Sequence, residues 1–91
     1  MKYLAWDAQK NEELKAKADR PSFDQVVDAV VNGGLVRIMV NRSVNHPEQM
    51  VMVIKIPGFV HLVAVPYRDR GWYYQLITAM PDRRLTKKSG G

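Results

Sequence analysis

The sequence predicts an α+β domain with the element order β-α-α-β-β-β-β, in which two N-terminal helices cover one face of an antiparallel sheet. Before residue 34, apolar residues recur at the spacing of an amphipathic helix. After it, they fall into short β-branched and aromatic runs that Pro, Gly and Asn separate. Early helices and late strands predict one covered and one partly open sheet face. A chain of 91 residues is the size of one domain, spanning residues 1–91.

Two helices are predicted after a short strand over residues 1–6. Asp7 is placed to cap a helix over residues 8–18, which is rich in Ala, Gln, Glu and Lys. Ser22 caps the second helix, and Gln25 three residues later completes a capping box. The apolar stripe of this helix consists of Phe23, Val26, Val27, Val30 and Val31, and Asn32-Gly33-Gly34 ends it. We expect this second helix to be the main cover of the sheet.

Four strands are predicted over residues 35–41, 50–56, 59–65 and 72–80. The last two form a hairpin whose turn spans residues 68–71, with Gly71 free to take a positive φ. A loop that includes His46 and Pro47 separates the strands predicted over residues 35–41 and 50–56. Residues 82–88 are expected to form one helical turn, and residues 88–91 a frayed end.

The net charge of +5 is unevenly distributed along the chain. Residues 1–34 carry five Lys or Arg against six Asp or Glu, whereas residues 68–91 carry six against two. A basic C-terminal half suits a polyanionic partner, because neutralising phosphates releases their counterions. A solvated surface that only keeps the protein in solution is the alternative.

Composition excludes several classes of function. There is no cysteine, so disulfides, thiolate metal sites and cysteine nucleophiles are excluded. The two histidines are far apart and have no neighbouring carboxylates, so we expect no metal and no cofactor. No apolar run approaches a membrane span and no signal-peptide region is present, so we expect a cytoplasmic protein that does not bind membranes.

Several short segments resemble one family. They are Trp6-Asp7-Ala8-Gln9-Lys10, Ser22-Phe23-Asp24-Gln25, the segment 50–55, Tyr67-Arg68-Asp69-Arg70-Gly71 and Leu76-Ile77-Thr78-Ala79. In this order they resemble the BrnT-like toxins, small ribonucleases of bacterial type II toxin-antitoxin systems with a RelE-like fold. The chain departs from the family at Lys17-Ala18-Asp19-Arg20, where the family has Lys-His-Gly. Gln75 and Met80 stand where the family has arginines.

The resemblance implies a metal-independent mRNA endoribonuclease that arrests growth by blocking translation. Its substrate would be mRNA, free or on the ribosome, and a cognate antitoxin would cover it. Metal-free cleavage needs a base, an acid and cations for the phosphorane. The predicted catalytic residues are His61, Arg70, Lys55 and Arg83, with His61 the candidate acid or base. The predicted nucleic-acid contacts are Arg37, Tyr67, Arg68, Thr78, Arg84, Lys87 and Lys88.

Each assignment has a structural alternative. His61 lies in an apolar run and could be a partly buried structural histidine. Arg37 and Lys55 could point into solvent by simple alternation, and arginines at a hairpin tip are often only solubilising. For the whole protein, the alternative is a non-catalytic toxin or interaction module on the same fold, such as a ParE-like topoisomerase inhibitor or an RNA-binding protein. The missing histidine and arginines favour this second class, whereas His61, Arg70 and the basic C-terminal half favour the toxin ribonuclease, which is the function we expect.

Overall fold

The computed structural model describes residues 2–40 and 49–89, the last two by their backbone alone. The strands are β1 Tyr3–Trp6, β2 Leu35–Val40, β3 Met50–Ile54, β4 Val63–Asp69, β5 Tyr73–Leu76 and β6 Met80–Pro81. The helices are α1 Ala8–Lys15, α2 Phe23–Val31 and α3 Arg83–Ser89. The predicted α+β class is confirmed. The loop containing His46 and the chain end at residues 90–91 lie outside the described residues.

The sheet is mixed, which corrects the prediction of an antiparallel one. Its order is β1-β5-β4-β3-β2, and β6 pairs with the first part of β4. Strands β2 to β5 form an antiparallel meander, but β1 runs parallel to β5. The reason is the connection: α1 and α2 carry the chain from β1 at one edge to β2 at the other, so no hairpin dictates the direction of β1.

Helix starts follow the predicted caps. The Asp7 side chain accepts a hydrogen bond from the Lys10 backbone N–H at 3.0 Å. Both bonds of the capping box between Ser22 and Gln25 are present, at 3.2 Å and 2.9 Å. Helix α2 has the predicted extent, whereas α1 ends at Lys15, three residues early, in a run of turns before Pro21.

The hairpin of β4 and β5 is confirmed, but its boundaries shift. Strand β4 begins at Val63 rather than residue 59, because Gly58 takes a φ of +92° in a turn that precedes it. It continues to Asp69, and the Arg70 N–H donates to the Tyr73 carbonyl oxygen at 2.9 Å to close the turn. The last predicted strand divides into β5 and β6.

The two faces of the sheet have separate cores. On the helix face, α1 and α2 pack on β3 and β4 through buried side chains that include Leu14, Phe23, Val26, Met52, Ile54, Val63 and Val65. On the other side, which we call the α3 face, Leu85 packs on Val53 and Ala64. The face predicted to be partly open is therefore partly covered, and the predicted single turn is a helix reaching Ser89.

Helix α3 is held at its first turn. The Asp82 carboxylate accepts hydrogen bonds from the backbone N–H groups of Arg84 at 2.8 Å and Leu85 at 3.3 Å. The Thr86 hydroxyl accepts from the Leu62 N–H at 2.6 Å. The Asp82 bonds cap the helix, and the Thr86 bond attaches it to the residue before β4. Among the described residues, no helix has the length and apolarity that crossing a membrane requires.

Candidate nucleic-acid interface

The four predicted catalytic residues lie at two ends of the sheet. Ile54 and Val63 are register partners, so Lys55 and His61, which flank them, share one end. Arg83 is also near this end, since the Asp82 N–H donates to the Leu62 carbonyl oxygen at 2.7 Å. Arg70 follows the opposite end of the seven-residue β4, about 20 Å away by strand rise. The structure therefore does not bring Arg70 into one centre with His61.

Strand alternation places Arg68 and Arg37 on the α3 face. The side chains of Val63, Val65 and Tyr67 belong to the core of the helix face, so Ala64 and Arg68 point the other way. Arg37 is the register partner of Val53, on which Leu85 packs. Arg37 therefore lies on β2, beside the β3 residue that Leu85 of α3 contacts, and its side chain is exposed.

Arg70 joins the same face through a side-chain hydrogen bond. Its Nε donates to Gln75 Oε1 at 2.8 Å, and Gln75 is the register partner of Arg68. Helix α3 adds Arg83, Arg84 and Lys87, all exposed. The basic residues of the α3 face are thus Arg37, Arg68, Arg70, Arg83, Arg84 and Lys87. Lys88 lies in α3, and its side chain is outside the described part of the chain.

The carboxylates near these basic residues are already engaged. Asp82 caps α3 and stands 3.7 Å from the Arg84 Nε. Asp69 pairs with the Lys2 ammonium at 2.8 Å and accepts from the Gly71 N–H at 2.9 Å. Those two hydrogen bonds, first that of Lys2, hold the pKa of Asp69 below its usual value. Six further carboxylates lie on or beside α1 and α2: Asp7, Glu12, Glu13, Asp19, Asp24 and Asp28.

Tyr67 does not occupy the predicted contact position. It is only 3% exposed, and its ring packs edge-on against Tyr74 at a centroid distance of 4.8 Å. Burial, more than any neighbouring group, raises the pKa of Tyr67. Because Tyr67 points into the helix-face core, it has no surface on which a base could stack.

A different set of aromatic rings is exposed at the corner of β1 and β5. Trp72 is 74% exposed and Tyr3 is 68% exposed. Their rings stack at 6.3 Å, and Trp72 also contacts Tyr73 at 4.7 Å. No local sequence pattern points to Tyr3, because only the parallel pairing of β1 with β5 brings residues 3 and 73 side by side.

His61 lies in a separate cleft of about 530 Å³ that Arg20 also lines. Its Nδ1 atom is buried and has no hydrogen-bond partner among the described residues. The cleft is built from the α1–α2 connection, the loop before β4, and β6. Sequence reasoning missed Arg20, which stands between the two helices and has no motif around it.

Thr78 and Lys55 also lie apart from the basic residues. The Thr78 hydroxyl is buried between β5 and β6, without a hydrogen-bond partner in the described chain. Lys55 lines an apolar groove with the end of α2, where its N–H donates to the Gly34 carbonyl oxygen at 2.8 Å. Within residues 2–40 and 49–89, no three His, Asp or Glu side chains converge in a way that would hold a metal ion.

Comparison of the chain with protein-family models, with curated proteins and with solved structures gave no match. The resemblance to BrnT-like toxins and the RelE-like strand order therefore stay predictions. Three features of the molecule bear on function: the α3 face, the exposed rings of Tyr3, Trp72 and Tyr73, and the His61 cleft.

Proposed function

We propose that this protein binds RNA across the α3 face. The observation that carries the proposal is the convergence of basic residues from β2, the β4–β5 turn and α3 on one side of the sheet. Most of the carboxylates lie on the helices of the other side. Each phosphate that Lys or Arg neutralises releases counterions, so such a face favours a polyanion. The open surface suits an extended strand better than a small molecule.

The predicted toxin activity would follow from this binding. In that proposal, the protein is a metal-independent endoribonuclease with a RelE-like fold that cleaves mRNA, free or on the ribosome, and a cognate antitoxin covers the α3 face. Arg83 and the His61 cleft share one end of the sheet, so cleavage would occur there, and Arg70 would hold a distant phosphate. Positioning of the RNA could then supply about 7–11 kcal/mol of the barrier.

A non-catalytic function is the second candidate. The distance of about 20 Å between the two ends of β4 separates Arg70 from His61 and favours it. In this case the α3 face binds RNA or another acidic partner, such as a topoisomerase, without cleavage. The two candidates share the binding surface and differ only in chemistry, so binding and cleavage must be measured separately.

Binding is tested by fluorescence anisotropy of a labelled single-stranded RNA over a range of salt concentrations. The variant Arg84→Gln with Lys87→Gln removes two charges from α3. The matched control, Lys10→Gln with Lys17→Gln, removes two charges from α1 and the turn after it. We expect the first to weaken binding and to lower the salt slope by about 0.7 for each lost contact. Equal effects of the two double variants would refute an interface at the α3 face.

Cleavage is tested with the same RNA in EDTA, with and without ribosomes, beside His61→Gln and Arg83→Gln. Cleavage that persists in EDTA and is lost in a variant that still binds RNA would support the endoribonuclease. If the RNA stays intact in every reaction and still binds, the endoribonuclease is refuted and the non-catalytic RNA-binding function is supported. Growth arrest on expression without cleavage or RNA binding would instead favour inhibition of another acidic partner.

A further inference from the structure

The corner where β1 meets β5 exposes an aromatic cluster of Tyr3, Trp72 and Tyr73. The protein has two tryptophans, and they differ in environment. Trp6 packs against the helix-face core, with its ring 5.7 Å from that of Phe23. Trp72 lies mostly in solvent, and the rings it contacts are those of the other two members of the cluster. A large exposed aromatic group of this kind is typical of a binding surface rather than of packing.

The charges around the aromatic cluster favour an anionic ligand. Tyr73 is two residues from Gln75, which holds the Arg70 guanidinium at 2.8 Å and pairs in register with Arg68. The nearby carboxylate of Asp69 is neutralised by Lys2 at 2.8 Å. The cluster therefore presents flat apolar rings beside arginines, and among the described residues near it the carboxylate of Asp69 is paired with Lys2.

We propose that the aromatic cluster is a base-stacking site that makes the protein selective for single-stranded RNA. An unpaired base stacks on the Trp72 indole, and Arg70 contacts the phosphate next to it. Bases in a duplex are stacked on each other and cannot leave their partners at low cost, so the site rejects duplex. This inference rests on the proposed RNA binding at the α3 face and adds to it the kind of RNA that is bound.

The geometry gives the bound strand a path. From β5 to β2 the sheet is four strands wide, so about 14 Å separates the strand that carries Tyr73 from the strand that carries Arg37. Between them lie Arg68 on β4 and the exposed residues of α3. An RNA that stacks one base at the corner can continue across the basic residues of the α3 face.

The test uses three probes: a labelled oligouridine, the matching oligothymidine and a blunt RNA duplex. Trp72→Leu removes the stacking ring, whereas Trp72→Phe keeps an aromatic one. Val31→Ser is the control for exposed apolar surface, since Val31 is 77% exposed on α2. We expect Trp72→Leu to weaken oligouridine binding about five- to 150-fold, with an unchanged salt slope and unchanged duplex binding. Trp72→Phe retains most of the affinity, and Val31→Ser retains all of it.

Tryptophan fluorescence gives an independent readout. Oligouridine should quench the emission of the wild-type protein and leave that of Trp72→Phe, which comes from Trp6, unchanged. An unaltered oligouridine affinity in Trp72→Leu, or an equal loss of duplex affinity, would overturn the stacking site while RNA binding stands. Failure of the wild-type protein to bind any RNA would instead overturn the proposed function. Equal affinity for oligothymidine would support stacking and extend the site to single strands in general.

Discussion

Gly34 is the position where a single added methyl group should disturb the fold most clearly. A Cβ atom there would lie 2.6 Å from the Lys55 carbonyl oxygen and 2.8 Å from the Ala29 carbonyl oxygen. Both are backbone oxygens, that of Lys55 directly after β3 and that of Ala29 in α2. Neither can move away by a side-chain rotation. Gly34→Ala therefore requires the end of α2 and the segment after β3 to move apart.

The cost can be worked out from the contacts at this position. Overpacking of a tightly packed site typically costs about 1–3 kcal/mol. The shift also strains two short hydrogen bonds, from Gly34 N–H to the Ala29 oxygen at 2.7 Å and from Lys55 N–H to the Gly34 oxygen at 2.8 Å. Each contributes about 0.5–1.5 kcal/mol. We expect Gly34→Ala to lower the free energy of unfolding by roughly 2–4 kcal/mol.

Urea denaturation, followed by circular dichroism, measures this loss. Gly33→Ala is the matched control: Gly33 has a φ of +85°, and a Cβ atom there meets no atom within 4 Å. Its cost comes from backbone conformation alone and should be about 1–2 kcal/mol. If Gly34→Ala destabilised the protein no more than Gly33→Ala, the argument from close approach would be refuted.

Three further predictions concern single contacts within the fold. Asn11→Ala should lower the free energy of unfolding by about 1–3 kcal/mol in urea denaturation, because the buried Asn11 Oδ1 accepts from the Phe23 N–H at 2.8 Å. Lys2→Met should raise the pKa of Asp69 toward its usual value, as measured by NMR titration. Tyr67→Phe should make the folded protein more resistant to alkali. Because the pKa of Tyr67 is raised, its stabilising effect is complete below the unfolded value of 10.0 and is lost as pH rises through the folded value.

Each of these three predictions can be contradicted by a specific measurement. Wild-type stability of Asn11→Ala would mean that water replaces the amide oxygen. An unchanged pKa of Asp69 without the Lys2 ammonium would assign the shift to the Gly71 N–H instead. For Asp69 the sign is opposite to that of Tyr67: stabilisation is present above the unfolded pKa and is lost as pH falls through the folded one. An alkaline midpoint that is the same in Tyr67→Phe would show that other groups control it.

The elements with local signals were predicted well from the sequence. Helix α2 has a cap, an apolar stripe and a glycine end within twelve residues, and its bounds are as predicted. The parallel β1–β5 pair was not predicted, because pairing of residues 3–6 with residues 73–76 leaves no mark in either segment. Local patterns determine which segments become strands, while their neighbours depend on the path of the helices between them.

Pro66 lies inside β4, one residue beyond the predicted end of that strand. The predicted strand ended at residue 65, whereas β4 continues to Asp69 although proline lacks a backbone donor. The Pro66 carbonyl oxygen accepts from the Ile77 N–H at 2.9 Å, so the nitrogen of Pro66 faces the same side of the strand. On that side the sheet is interrupted between Leu76 and Met80. The backbone N–H that Pro66 lacks would therefore point to the gap between β5 and β6, where no strand is paired with β4.

The candidate site was predictable only in part. Charge counts identified the basic residues among the last 24 residues, but the face of Arg37 follows from its register with Val53, beside an irregularity in β2 that the sequence does not show. The separation of Arg70 from His61 depends on where β4 begins and ends, which the sequence did not reveal. Tyr67 faces the core because β4 continues through it with the alternation of Val63 and Val65, whereas Tyr3 reaches the exposed corner only through the pairing of β1 with β5.

Formation of α3 and RNA binding should be coupled. A seven-residue helix is marginal in water by itself, and this one is attached mainly through Leu85, the Asp82 cap and the Thr86–Leu62 bond. Arg83 and Lys87 stand four residues apart on it, a like-charge pair that costs about 0.2–0.5 kcal/mol. A phosphate between them removes this repulsion, so a ligand that binds the folded helix must also stabilise it. If the proposed RNA binding holds, the basic residues that attract RNA also weaken α3 in its absence, and the hydrophobic contact of Leu85 with Val53 and Ala64 keeps the α3 face formed in the free protein.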